Sequence, residues 1–308
     1  MKKIKEIKRF NNLGVYKNSI IVYNKDECGL LYLNEELEPT LLINESIHKA
    51  RVFEDNLIYQ NNFRNLVNWD KKVEIQNNNG YELLTALKYN NYIYIYSGDE
   101  DAELFFNFNL EIIGNAPRYC CFSYKDYLFD KDKSSLICYN LNDKLWDYKR
   151  DNDSDIQIIS GYKNKILVYS ESGDLFALSL ENGEVCWKYP EKTFHTNSLC
   201  KDCLYTQDKN NLIEIDAESG KKIRAVDVKT IETKEKFIAN RIKVYDDYIF
   251  CIDTFGTFAI FDRKTLTLKE IIRLDEHMIN RDYALQWLNN RLYIQTIGGT
   301  IHIFEDIV

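Results

Sequence analysis

The sequence predicts an all-β fold, an eight-bladed β-propeller of four-stranded antiparallel blades, and three observations carry the prediction. Strand-forming residues dominate: the 308 residues include 22 tyrosines and 16 phenylalanines but only 3 prolines and 12 glycines. A short pattern, an apolar residue, any residue, then Asn or Asp ahead of an apolar run, recurs eight times. The N-terminus supplies a strand that the last copy lacks.

The Asn or Asp of the pattern falls at Asn18, Asp55, Asn91, Asp126, Asn164, Asp202, Asp247 and Asn290, with spacings of 37, 36, 35, 38, 38, 45 and 43 residues. A period near forty in strand-rich sequence marks a ring of blades. Asn and Asp tolerate left-handed backbone angles and bond their own backbone, so they stand in for glycine at a hairpin between the first and second strands. A polar loop follows, then a third strand such as LFALSL or LIEIDA, then in seven copies a fourth strand such as EVCWKYP or KIRAVDV.

The eighth copy, 283–308, ends after its third strand. KIKEIKRF (Lys3 to Phe10) has the period-two alternation of a strand with one charged face, so residues 1–10 complete the last blade and the two termini close the ring. The whole of 1–308 then reads as a single propeller domain, with seven blades as the alternative if one copy is degenerate. Closure removes the seam, and short lysine-bearing outer strands discourage edge-to-edge pairing.

ALSLENGEVCW (Ala177 to Trp187) is similar to the quinoprotein-dehydrogenase-like, or PQQ-like, repeat: an alternating strand, a polar-polar-Gly turn and a tryptophan. The resemblance implies that Trp187, and Trp146 in LICYNLNDKLW, dock between blades. The motif is uneven within single copies: IEIDAESGKKI has Ser219 and Gly220 but no tryptophan, and LICYNLNDKLW has the tryptophan but no glycine. That superfamily contains cofactor-bearing dehydrogenases and non-enzymatic scaffolds, and this chain resembles the scaffold branch.

Net charge of −8 argues against a general nucleic-acid or anionic-membrane binder, which needs a basic field. No stretch approaches the length of a membrane span, and the lysine-rich start lacks the apolar run of an export signal, so a cytoplasmic protein is expected. Eight cysteines in that setting should stay reduced. Cys120 and Cys121 are adjacent, a pairing found as a disulfide in some quinoprotein dehydrogenases, but successive strand residues point to opposite faces. Cys200 and Cys203 form a lone CxxC whose positions are repeat positions, so no metal or redox role is expected. DKDKSS (from Asp130) and DNDSD (from Asp151) imitate the start of a calcium loop but lack its later glycine and glutamate.

Connections entering each blade share one face of the ring with the loops between second and third strands. His48 and His195, the run Asp99, Glu100 and Asp101, the pair Asp130 and Asp132, and Glu276, His277 and Arg281 of a long connection all map to it. Ringed around a channel, such carboxylates would steer a basic partner; singly they are a solvated surface. Long loops on a rigid ring are where binding specificity sits. The expected function is a non-catalytic protein-binding propeller, a cytoplasmic bacterial scaffold or adaptor or an immunity protein that neutralises a cognate toxin by covering it, with no metal or cofactor. The alternatives are a quinone-cofactor oxidoreductase and a carbohydrate-binding propeller.

Overall fold

The structure is a computed structural model. It describes the chain apart from residues 1, 9, 11, 24–28, 54, 77–80, 90–91, 98–101, 116–119, 133, 141–142, 151–153, 229–230, 232–236, 240, 246, 254, 275–284 and 306–308. Of residues 12, 23, 81–82, 84–89, 94, 96–97 and 102–103 it describes the strand positions only.

Eight sheets of four antiparallel strands follow one another along the chain as blades. Blades 1 to 7 span 12–43, 47–75, 81–115, 120–149, 156–188, 197–227 and 241–273, each in simple meander order. Blade 8 takes three strands from 285–305 and its outermost from Lys2–Ile7, which pairs antiparallel with Ile301–Glu305. The termini therefore close the ring, and the eighth copy needs no fourth strand of its own.

First strands line the inside. Those of neighbouring blades lie side by side, and the first strand of blade 1 (Asn12–Tyr16) meets that of blade 8 (Leu285–Leu288). Two-residue turns join the first and second strands in blades 1, 4, 5, 6 and 8, as the pattern predicts. One detail differs: Asn18 and Asn290 have positive φ, but in blades 4, 5 and 6 the left-handed residue is the preceding lysine, Lys125, Lys163 and Lys201. In blades 5 and 6 the Asn or Asp contributes its carbonyl instead. Asn164 and Asp202 accept the amides of Leu180 and Ala217, both at 2.8 to 2.9 Å, tying this turn to the turn after the third strand.

The core is divided. Eight apolar clusters each straddle a pair of consecutive blades, including one between blades 8 and 1 that holds Ile7, Phe10, Leu13 and Ile303. A blade's strands alternate, and in a ring both faces are covered by neighbours, so burial of the two residue sets goes to two different clusters. Among the described residues, the cluster between blades 3 and 4 is the smallest, with Phe105, Cys120 and Leu128 buried.

Specific contacts lock these interfaces. Trp146 of blade 4 donates its indole N–H to the carbonyl of Leu180 in blade 5 at 2.8 Å, and Trp187 of blade 5 donates to Ala217 of blade 6 at 3.1 Å. Each ring also covers a turn glycine of the following blade: a Cβ on Gly183 would lie 2.7 Å from Trp146, and one on Gly220 2.5 Å from Trp187. Trp and Gly thus form a pair across two copies, which explains why they are mismatched within one copy.

Blade 6 has Arg224 at the tryptophan position. Its guanidinium binds the carbonyls of Arg263 and Lys264 in blade 7, and the left-handed turn position there is Leu266, at φ 56°, buried between the two blades. Where no indole arrives, a leucine fills the space at the cost of strain. Tyrosines of the repeat work similarly on the same side: the hydroxyl of Tyr162 donates to Asp202 at 2.6 Å, and that of Tyr16 donates to Asp70 at 2.5 Å.

Candidate functional site

The face opposite the lysine-bearing turns is built from the loops after second strands and the connections entering each first strand. Backbone bonds join the two sets: Glu171 donates to Asp155, Asn62 to Ser46, and Phe194 to Gln207. Buried glutamines anchor them. Gln207 accepts the amide of Ala239 at 2.8 Å and donates to the carbonyl of Phe237, so it clamps the chain entering blade 7. Gln60 accepts from Leu83 of blade 3, and Gln295 donates to Phe10 on the way to blade 1. All three close a second strand (LIYQ, LYTQ and LYIQ), where the sequence signal was a polar residue ending an otherwise apolar run. Sequence reasoning missed them.

The loops after the second strand in blades 2 and 7 share one ordered geometry. In blade 2 the Asn61 side chain accepts the amides of Phe63 and Asn65, both at 3.1 Å, and Arg64 is left-handed at φ 62°. In blade 7 Asp253 accepts from Phe255 and Thr257 at 2.9 and 2.7 Å, with Gly256 at φ 87°. Side-chain capping of this kind holds the loop without a partner strand. Its consequence is that Phe63 and Phe255, at the same loop position, are held outward, 85% and 57% exposed. Ile297 of the blade 8 loop is 67% exposed, and Ile238 at the entrance to blade 7 is exposed too. Large side chains on hydrogen-bonded loop tips do not collapse back onto the protein.

The carboxylates on this face are less free than the sequence suggests. Asp174 is buried against Arg150 at 2.7 Å, Lys192 at 2.8 Å and Lys188 at 3.1 Å, with Ser172 also donating. Burial opposes its charge, but Lys192, Arg150 and Lys188 outweigh this and hold its carboxyl well below the usual range. It is a clip between the end of blade 4, the outer strand of blade 5 and the connection to blade 6. Asp130 and Asp132 lie on the second strand of blade 4 (Tyr127–Asp132), across from Ile137 and Ser135, and not in a cation-like loop. Burial, aided by Asp132, raises the Asp130 carboxyl.

Of the other residues singled out in the sequence, His48 is half-buried on the first strand of blade 2 (Ile47–Phe53), and His195 is exposed in the connection entering blade 6. The ring holds them four blades apart. Asp99, Glu100, Asp101, Glu276, His277 and Arg281 lie outside the described residues. On first strands whose side chains are described, the residues charged at neutral pH are Lys49, Arg51, Arg241 and Lys243. The charged side chains that these strands contribute are therefore cations.

A cavity of about 460 Å³ opens in that wall across the first strands of blades 5, 6 and 7, with Arg241, Lys243, His195 and Asn197 among its lining. Cys120 and Cys121 are free thiols, as are Cys200 and Cys203, which face each other across their turn. Burial pushes the Cys203 thiol up to about 11 and the Cys138 thiol to about 12, so neither is a ready nucleophile. Among the described residues no three His, Cys, Asp or Glu side chains converge in a way that would hold a metal ion.

No family model and no curated protein matches the chain. Solved structures do. The computationally designed Ika8 protein is 10% identical, with 97% of this chain and 96% of that one covered and a TM-score of 0.69. BamB from Moraxella catarrhalis is 12% identical over 99% of both chains, with a TM-score of 0.64. Sqt1 from Saccharomyces cerevisiae is 9% identical over 98% of both, with a TM-score of 0.66. At these identities the likeness is one of fold. Over its whole length the chain is similar to known β-propellers, among them the PQQ-like propeller of BamB, and it has eight blades of its own.

Proposed function

We propose that the protein is a non-catalytic binding propeller that engages a protein partner through the loop face, acting in the cytoplasm as a scaffold or adaptor. The observation that carries this reading is that Phe63 and Phe255 are held outward on capped loops of one face, which also exposes Ile297. Rigid, exposed aromatic tips reduce the ordering cost of association and are the residue type that dominates interface energetics. The net charge of −8 favours a basic partner during approach, while the apolar tips supply the contact. An immunity protein that covers a cognate toxin is the specific form of this reading.

Two assays test it. Retention of a defined protein partner by the wild type, and its loss on changing both Phe63 and Phe255 to serine with the β-sheet spectrum unchanged, is the expected result. A partner profile identical for the two proteins removes the loop face from the proposal. For the immunity form, co-expression with the product of a neighbouring toxin gene should restore growth with the wild type and fail with the double variant; growth arrest in both cases sinks it.

A further inference from the structure

We propose that the cavity in the inner wall of blades 5, 6 and 7 binds a small hydrophilic molecule carrying an oxyanion, a carboxylate or a phosphate. Its volume, about 460 Å³, lies within the usual range for small-molecule sites. Arg241 and Lys243 stand two residues apart on the first strand of blade 7 (Arg241–Val244), and Ile242 between them is buried in the cluster with blade 6. Alternation therefore sends both cations to the same side of the strand, and both line the cavity. An arginine fork and a lysine point charge at one wall are the pair of groups that hold carboxylate or phosphate oxygens.

The remaining lining mixes apolar Ile158, Ile159 and Leu199 with polar groups of both senses. Asn197, Gln157 and Ser160 offer donors and acceptors suited to hydroxyl groups, and His195 stands at the rim. Ile158 and Ser160 flank a register shift in the first strand of blade 5 (Ile156–Tyr162), within the stretch 157–160 that lines the cavity. The wall is also braced: Gln207 clamps Phe237 and Ala239, and Thr196 donates to the Ala239 carbonyl at 2.6 Å. Buried clamps just ahead of Arg241 and of Asn197 leave the site little to reorganise when a ligand arrives.

The test uses the full chain and two probes, citrate for the carboxylate and inorganic phosphate for the phosphate, each against chloride at matched ionic strength. At about 10 mM, at least one probe should raise the melting temperature by about 2 °C or more. The shift should vanish in Arg241→Gln and Lys243→Gln, which keep much of the aliphatic stem, and persist in Lys49→Gln on blade 2. A response to citrate alone assigns a carboxylate ligand, and one to phosphate alone a phosphate. No shift with either probe, or an equal shift in all the variants, overturns the proposal. Melting of each variant in chloride separates loss of binding from loss of fold, and the loop-tip serine variants should keep the response.

Discussion

Replacing Gly220 by alanine tests whether the tryptophan of one blade and the glycine of the next act as one unit. Two separable costs arise. At φ 70° a residue with a Cβ pays about 1–2 kcal/mol of left-handed strain. The same Cβ would lie 2.5 Å from Cδ2 and Cε3 of Trp187, so the ring must shift, which adds about 1–3 kcal/mol of overpacking. In a Trp187→Leu background the second cost disappears and only the strain remains. A double-mutant cycle should therefore return a coupling of about 1–3 kcal/mol between the two positions. Urea unfolding followed by far-ultraviolet circular dichroism supplies the four midpoints and slopes. Additivity within about 0.5 kcal/mol would refute the reasoning, because it would mean the indole does not fill the space above the glycine. The interface between blades 6 and 7 offers a stricter version: Trp187→Arg with Gly220→Leu copies Arg224 and Leu266, and should be more stable than the sum of its two single changes predicts.

Three further outcomes follow from the same contacts. Deleting residues 2–10 removes the outer strand of blade 8 together with buried Ile7 and Phe10; the loss should exceed about 5 kcal/mol from these two side chains alone, and an unchanged melting temperature would discredit closure by the termini. Asp174→Asn should destabilise by about 1–3 kcal/mol near neutral pH, since it weakens a buried anion set against Arg150, Lys188 and Lys192. Because the folded carboxyl is depressed, that increment is fully present above the ordinary carboxylate value of about 4 and is lost as pH falls through the folded value, so the gap between variant and wild type should narrow below about pH 4. Gln207→Leu leaves the Ala239 amide and Phe237 carbonyl without their side-chain partner and should cost about 1–3 kcal/mol, with faster amide exchange at Ala239 as the local sign.

Much of the architecture was legible in the sequence because it rests on short-range rules. A period near forty marks the blades, the two-residue turns mark the hairpins, and alternation in the first ten residues marks the strand that closes blade 8. The site was less legible. Asp174 reads as one more solvated acid until Arg150, 24 residues earlier, and Lys192, 18 residues later, are brought against it. Phe63 and Phe255 look like ordinary strand-flanking aromatics; only the capped loop geometry turns them outward. The clamping glutamines stood in the repeat pattern itself, but a buried amide is recognised by its partners, and Gln295 finds Phe10 at a separation of 285 residues.

By itself the sequence determined the period of the blades, where most hairpins turn and which segment completes the last blade, since turn chemistry and side-chain alternation act between neighbours along the chain, while the count of eight rather than seven came from the sheets themselves. The tertiary structure decided what the copies do to one another. It matched Trp146 to Gly183 and Trp187 to Gly220 across copies, put Leu266 where no indole arrives, neutralised Asp174 and turned Arg241 and Lys243 toward a common cavity. Those outcomes depend on contacts between residues tens to hundreds of positions apart, and on a ring that gives each blade two neighbours.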